Sequence, residues 1–242
     1  MNNKLHIEIA IITFSTLMFL SLILPYHVNA QPETFLPGSE PYGISYGEWS
    51  AKWWIWHSSF PKSTSPAYDE TGDRCSFGQN TSSPVWYLAG TTGADATRSC
   101  TIPAGKSILI SPINSQFTYA EERSPGTVTT PESLLQEAKN DIDKVTSKTL
   151  TVDKVEVPDL ESYRVQSPLY TLTVPEHDNV VNVVYSMTQE GTTQGRSDGY
   201  FVILKPLPVG DHEIKSFGAI YDFNNGNPYN FASDVTYKIT VK

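Results

Sequence analysis

The second half of the chain most constrains what it can fold into. From Thr149 onward, apolar residues return at every second position in short runs: "TLTVDKVEV" (149–157), "YRV" (163–165), "LYTLTV" (169–174), "VVNVVYSM" (180–187), "GYFVILKPL" (199–207), "HEIKSFGAIY" (212–221) and "DVTYKITV" (234–241). Alternation of period two marks half-buried strands, whose side chains point to opposite faces in turn. Val, Ile, Thr and Tyr dominate these runs, and they suit a pleated surface. The 149–157 run alternates around Asp153-Lys154, as a small hairpin or a bent strand would. Pro206, Pro208 and Gly210 mark a turn between two of the runs. Two more strands are expected earlier, "VWYLAG" (85–90) and "SILISPI" (107–113).

Two stretches have helical period instead. Ser45 is a good N-cap, and Glu48 three residues later completes a capping box ahead of "YGEWSAKWWIWHS". The helix is expected over 45–58, stopping before Pro61. It holds four of the five tryptophans. At 3.6 residues per turn, Trp49, Trp53 and Trp56 share one face, and Trp54, Ile55 and Ala51 fill much of the rest. A helix apolar around most of its girth belongs in a core, whereas a membrane-surface helix carries a broad Lys/Arg face that is absent here. Trp54 is the member expected to face something else. Thr130 and Pro131 open the second helix, expected over 131–145 with Leu134, Ala138, Ile142 and Val145 on one face. The fold expected is mainly β: an antiparallel β-sandwich or jelly-roll-like domain with two added α-helices, in one domain over 31–242.

The first thirty residues read as an export signal. Lys4 precedes an apolar run from Ile9 to Leu24, Pro25 breaks it, and Val28-Asn29-Ala30 places small residues before the expected cut after Ala30. The run is short of the roughly 20 residues that span a bilayer. Glu8 and the single Lys4 weaken the basic start, so an uncleaved anchor is the alternative. No second run is long enough to cross a membrane. Removing 1–30 takes one Lys and one Glu, so the net charge of −9 stays. That acidity, with no basic stripe, argues against nucleic acid as a partner. Cys75 and Cys100 are the only cysteines, and in an exported chain they are expected to form one disulfide. Asn80-Thr81-Ser82 between them is an N-glycosylation sequon.

The phrases "PYGISYGEWSAKWWIWHSSFP", "DETGDRCSFGQ", "VWYLAGT", "CTIPAGKSILISPIN", "SYRVQSPLY" and "SDGYFVILKPLPVGDHEI" resemble a family of exported bacterial and archaeal proteins of unknown function. The resemblance spans most of the chain after residue 30. It implies a secreted, single-domain protein and carries no activity with it.

Several motifs invite chemistry and fail their context. "GISYG" matches a nucleophile elbow around Ser45, but "PGSEPY" before it is no buried strand, and capping explains the serine. "CTIPAGKS" lacks the first glycine of a phosphate loop, since Cys100 stands there, and it leads into a strand; Pro103 to Gly105 reads as a tight turn. No cofactor is expected. Calcium would suit two oxygen-rich loops, "YDETGD" with Asp69, Glu70 and Asp73, and "YDFNNGNPYN" around Asn225-Gly226, although neither has the order of a calcium-binding hand and the second reads first as a hairpin loop. Zinc or copper would suit His57, His177 and His212 only if the fold assembles them. His57 also ends the Trp helix, where a cation suits the dipole. Asp198 and Glu121-Glu122 are the carboxylates that could flank a glycosidic bond.

The function expected is an exported, non-catalytic protein that binds a glycan, polymer or protein partner at the cell envelope or outside the cell. Trp54, Tyr68, Tyr119, Tyr221 and Tyr229 are its candidate contacts, because aromatic faces on polar loops suit sugar rings and partner anchors. The alternatives are a secreted hydrolase or metal-dependent enzyme whose site forms only in three dimensions, and a surface structural protein.

Overall fold

The computed structural model describes residues 31–119, 130–179, 191–221 and 230–242. The strand expected over 180–187 lies outside them. In chain order the elements are α1 (Tyr46–Ser58), β1 (Val85–Tyr87), β2 (Asp95–Ile102), β3 (Ser107–Thr118), α2 (Pro131–Ile142), β4 (Val145–Val152), β5 (Val155–Glu156), β6 (Arg164–Gln166), β7 (Tyr170–Val174), β8 (Gly191–Leu204), β9 (Gly210–Tyr221) and β10 (Asn230–Val241). Short 3-10 turns fall at Pro41–Gly43, Lys62–Thr64, Pro66–Tyr68 and Leu160–Tyr163.

Among the described residues, the strands form two five-stranded sheets. One runs β1-β3-β8-β6 with β7 also paired to β8, and the other runs β2-β10-β9-β4-β5. This is the expected mainly-β sandwich with two helices, but its sheets are mixed. β1 lies parallel to β3 and β2 parallel to β10, while every other pairing among the described residues is antiparallel. A parallel pair needs a long crossover. Here β2 leaves for the second sheet between β1 and β3, and about half of the chain separates β2 from β10.

The core joins both sheets. Leu150, Val152, Ile214, Val235, Tyr237 and Ile239 of the second sheet share one cluster with Ile108, Leu109, Ile110 and Phe201 to Leu204 of the first. Ile108 to Ile110 of β3 and Phe201 to Leu204 of β8 are apolar and buried on both faces. Phe201 meets Trp53 of α1 at 5.9 Å between ring centroids. Toward the other end, Leu134 and Ala138 of α2 pack with Phe117, and Ile142 packs with Ile113, Tyr200 and Ile220. The two sheets come into close contact where Gly218 of β9 lies against the bulge of β3; a Cβ there would run into the Pro112 carbonyl and Ile113.

Both helices start as the sequence indicates. The Glu48 amide donates to Ser45 Oγ and the Ser45 amide to Glu48 Oε2 at 2.9 Å, while Thr130 and Ser133 cap α2 in the same reciprocal way. α2 ends three residues early, at Ile142. Val145 opens β4 opposite Ile220 instead of closing a helical stripe. Asp153 and Lys154 both take left-handed φ, 50° and 69°, and make the β4–β5 hairpin turn. β2 is a strand the periodicity did not announce, because its inward positions include Arg98 and Cys100.

Candidate functional site

Each tryptophan on the stripe of α1 is buried with its indole N–H answered by a carbonyl. Trp49 donates to Pro41 O at 2.9 Å, Trp53 to Leu88 O at 3.0 Å and Trp56 to Phe77 O at 3.1 Å. Trp54 differs. It is half-buried, and its Nε1 is enclosed with no hydrogen-bond partner. An enclosed donor without an acceptor costs about 1–3 kcal/mol.

Trp54 packs on a small apolar cluster made by Ala51 of α1 and Tyr170, Leu172 and Val174 of β7. Tyr68 packs on the same cluster, so the structure brings two of the five expected contacts together. After α1, Pro61 and Pro66 frame two 3-10 turns that fold the chain back and deliver Tyr68. Asp178 fixes this return: its carbonyl accepts the Lys62 amide, and its carboxylate accepts the Ser63 amide at 2.9 Å. Lys62 Nζ stands 5.1 Å over the Tyr68 ring. Burial pushes the Tyr68 phenol up, the Thr92 hydroxyl works against that, and the Asp178 charge adds to it.

His57 completes the patch from the core side. It stacks on Trp53 at 4.8 Å and meets Trp54 edge-on at 5.1 Å. Its Nδ1 is enclosed and unpartnered. Burial, helped by the charge of Arg98, holds its pKa down at about 4. His57 is therefore neutral at physiological pH and not the cation expected at a helix end. Below it, Tyr170 OH donates to Gln116 Oε1 at 2.7 Å and Gln116 Nε2 to Ser58 Oγ at 3.2 Å, tying the end of α1 to β3 and β7. The result is two half-buried aromatic rings on one apolar cluster, Trp54 beside a neutral imidazole and Tyr68 beside Lys62, Asp178 and Thr92. Such a face stacks on rings and offers a few polar contacts.

Tyr119 and Tyr221 lie elsewhere. Tyr119 is half-buried beside α2, with Phe117, Leu134 and Ala138. Tyr221 ends β9 opposite Asn230, and Tyr229 lies outside the described residues. The three histidines share no partner: His57 is in the Trp cluster, His177 is exposed beside Glu176, and His212 bonds Asp153 and Pro208. Among the described residues, no three or more His, Cys, Asp or Glu side chains are grouped to hold a metal ion.

The carboxylates have structural work. Asp198 is fully buried and takes a bidentate bond from Arg164, whose Nη2 also reaches Asp143. Glu121 and Glu122 lie outside the described residues. In the "YDETGD" loop the Asp69 carboxylate is spent on the amides of Thr71, Gly72 and Arg74. Burial would raise its pKa, and those bonds lower it further than burial raises it. Glu70 and Asp73 are exposed. The second oxygen-rich loop, 221–230, lies outside the described residues except at its ends, Tyr221 and Asn230.

Cys75 and Cys100 are joined, with their Cα atoms 5.7 Å apart. Asn80 is exposed in the loop they close and accepts the Ser82 amide at 2.9 Å. Lys106 donates to the carbonyls of Thr81 and Ser83, a loop clamp where the sequence offered a phosphate loop. Ser45, the serine of the false elbow, is an N-cap. An open cleft of about 540 Å³ lies at the start of α1, lined by Ser45, Gly47, Glu48, Gln166 and Pro168.

The residue sequence reasoning missed is Arg98, 1% exposed. It donates to the carbonyls of Ala67, Asp69, Ala89 and Gly90 and to Tyr237 OH. It thereby pins the segment carrying Tyr68 to the second sheet. The only signal was an arginine at an inward strand position. Among the described residues no helix is long and apolar enough to cross a membrane. No protein-family model, curated protein or solved structure matches the chain.

Proposed function

We propose that this is an exported, non-catalytic protein of the cell envelope or cell exterior that binds a glycan polymer on the Trp54–Tyr68 face. The observation that carries the reading is the convergence of these two rings, one before and one after a proline-framed return in the chain, on one cluster. Half-buried aromatics are preorganised: little side-chain freedom is lost when a sugar ring stacks on them. Lys62, Asp178 and Thr92 beside Tyr68 supply the polar contacts that orient a hydroxyl-rich ligand. The disulfide and the export-type leader support the location.

The test is a glycan array followed by calorimetric titration of the hits, using the protein secreted by its own host. Tyr68→Ala and Trp54→Ala are each expected to weaken binding about 10- to 100-fold, the 1.4–2.8 kcal/mol of a lost stacking anchor. Thermal melts of both variants show that the fold survives. Hits whose affinity is the same in both variants would place binding elsewhere, and an array without hits would overturn the glycan reading.

A further inference from the structure

We propose that His212, as an imidazolium, fastens the 205–209 connection to the end of the second sheet, and that loss of its proton unfastens it. The geometry is independent of the aromatic patch. His212 Nδ1 lies 2.7 Å from Asp153 Oδ2 and Nε2 lies 3.0 Å from the Pro208 carbonyl oxygen. Both neighbours are acceptors, so both ring nitrogens must carry a hydrogen, which only the charged form does. Either neutral tautomer turns a lone pair toward an oxygen and loses one of the two bonds.

The surroundings keep the acceptors in place. Asp153 sits in the tight β4–β5 turn, where its Oδ1 accepts the Glu213 amide and its own amide donates to Glu213 O, both at 2.8 Å. The carboxylate therefore cannot swing away. Pro208 has no N–H, so its carbonyl is the one backbone group with which it can be held. His212 stands opposite Ile239 of β10 on the inward side of β9, and its side chain is 12% exposed.

The charged groups around it are Asp153 from the β4–β5 turn and Asp211 at the start of β9, the latter bonded by Thr240 of β10 at 2.7 Å. Lys154 follows Asp153 in the turn; Lys205, at the far end of the connection, pairs with Glu33. Burial alone would lower the pKa of His212, but Asp153 and the Pro208 carbonyl outweigh it and the pKa is raised. The raised value means that the contact holds at and below the ordinary histidine range and is lost as pH rises through the folded pKa. What it releases is a connection with Leu207 half-buried against the core and Val209 73% exposed.

The experiment is an NMR pH titration of the full chain, following the His212 ring and the backbone of 153–154 and 205–210. The His212 midpoint is expected above the ordinary 6.5, with the backbone signals of the connection moving at the same midpoint. Asp153→Asn is expected to bring that midpoint down by about one unit or more. A wild-type midpoint at or below 6.5 would overturn the proposal. So would a connection whose signals ignore the titration of His212.

Discussion

Asp198 is the residue on which a catalytic reading and a structural reading part most sharply. Its carboxylate is fully buried on β8, in the middle of the first sheet, opposite Gln166 of β6 and Ser115 of β3. Arg164 Nε bonds one oxygen at 2.9 Å and Nη2 the other at 3.0 Å. The same bonds hold the Arg164 guanidinium pKa well above its ordinary value. Asp198→Asn keeps the shape, removes the charge and turns an amide NH2 toward the guanidinium. Breaking a fully buried pair costs about 3–5 kcal/mol. Arg164 is 27% exposed and retains Asp143 at 2.6 Å, which argues for the lower part of that range or just beneath it, about 2–3 kcal/mol. In a chain of this size each kcal/mol moves the melting point by about 2–4 °C, so a fall of about 5–10 °C is expected. Thermal and urea denaturation at pH 7 measure it, and Arg164→Met alone and with Asp198→Asn closes a cycle. The double variant should lose clearly less than the two singles added, because the second change removes a partner already lost. If Asp198→Asn melts like the parent chain but abolishes a ligand-binding or hydrolytic activity, Asp198 belongs to a site and the structural reading fails.

His57 stays neutral in the fold down to about pH 4 while the unfolded chain protonates near 6.5. The unfolded state thus binds the extra proton between these values, and stability falls with acidification at up to about 1.4 kcal/mol per pH unit. His57→Phe keeps a ring on Trp53 and should flatten the urea midpoint between pH 4.5 and 6.5; an unchanged slope would show that His57 is not the group responsible. Arg98→Met leaves the carbonyls of Ala67, Asp69 and Gly90 without their arginine donor, while Ala89 O keeps the Tyr237 hydroxyl at 2.8 Å. It should cost about 3 kcal/mol or more by denaturant melts, with Arg98→Lys recovering little because an ammonium lacks the planar fork; full recovery by lysine would mean that charge alone matters there.

Much of the fold was legible because local chemistry and burial agree. Ser45 and Glu48 cap α1 where their spacing says they should, and β7, β9 and β10 alternate as half-buried strands do. Three features were hidden for physical reasons. Strand direction leaves no trace in a period of two, so the parallel pairings of β1 and β2 could not be read. β2 was masked by Arg98, because its inward-facing charge breaks the apolar pattern while satisfying itself on backbone carbonyls. The end of α2 was misplaced because Val145, three residues past Ile142, fits a helical stripe as well as it fits a strand facing Ile220.

The candidate site was half legible, and the missing half shows why. Helical angles single out Trp54 because the stripe through Trp49, Trp53 and Trp56 leaves it on another side. The structure gives that difference an energetic meaning. The three stripe indoles donate to Pro41, Leu88 and Phe77, each in a segment outside the strands, so α1 holds the irregular parts of the chain in place through its tryptophans. Trp54 holds none of them and keeps an unanswered N–H. Its companion Tyr68 is fourteen positions on by sequence, and only the turns after Pro61 and Pro66, fixed by Asp178 from the far end of β7, bring the two rings to one cluster. No spacing rule connects these residues, since the contact depends on a return loop whose anchor lies more than a hundred positions away. A large aromatic that supports no other segment, half-covered beside a second ring, is a costly arrangement for a core and a natural one for a surface that receives a ligand.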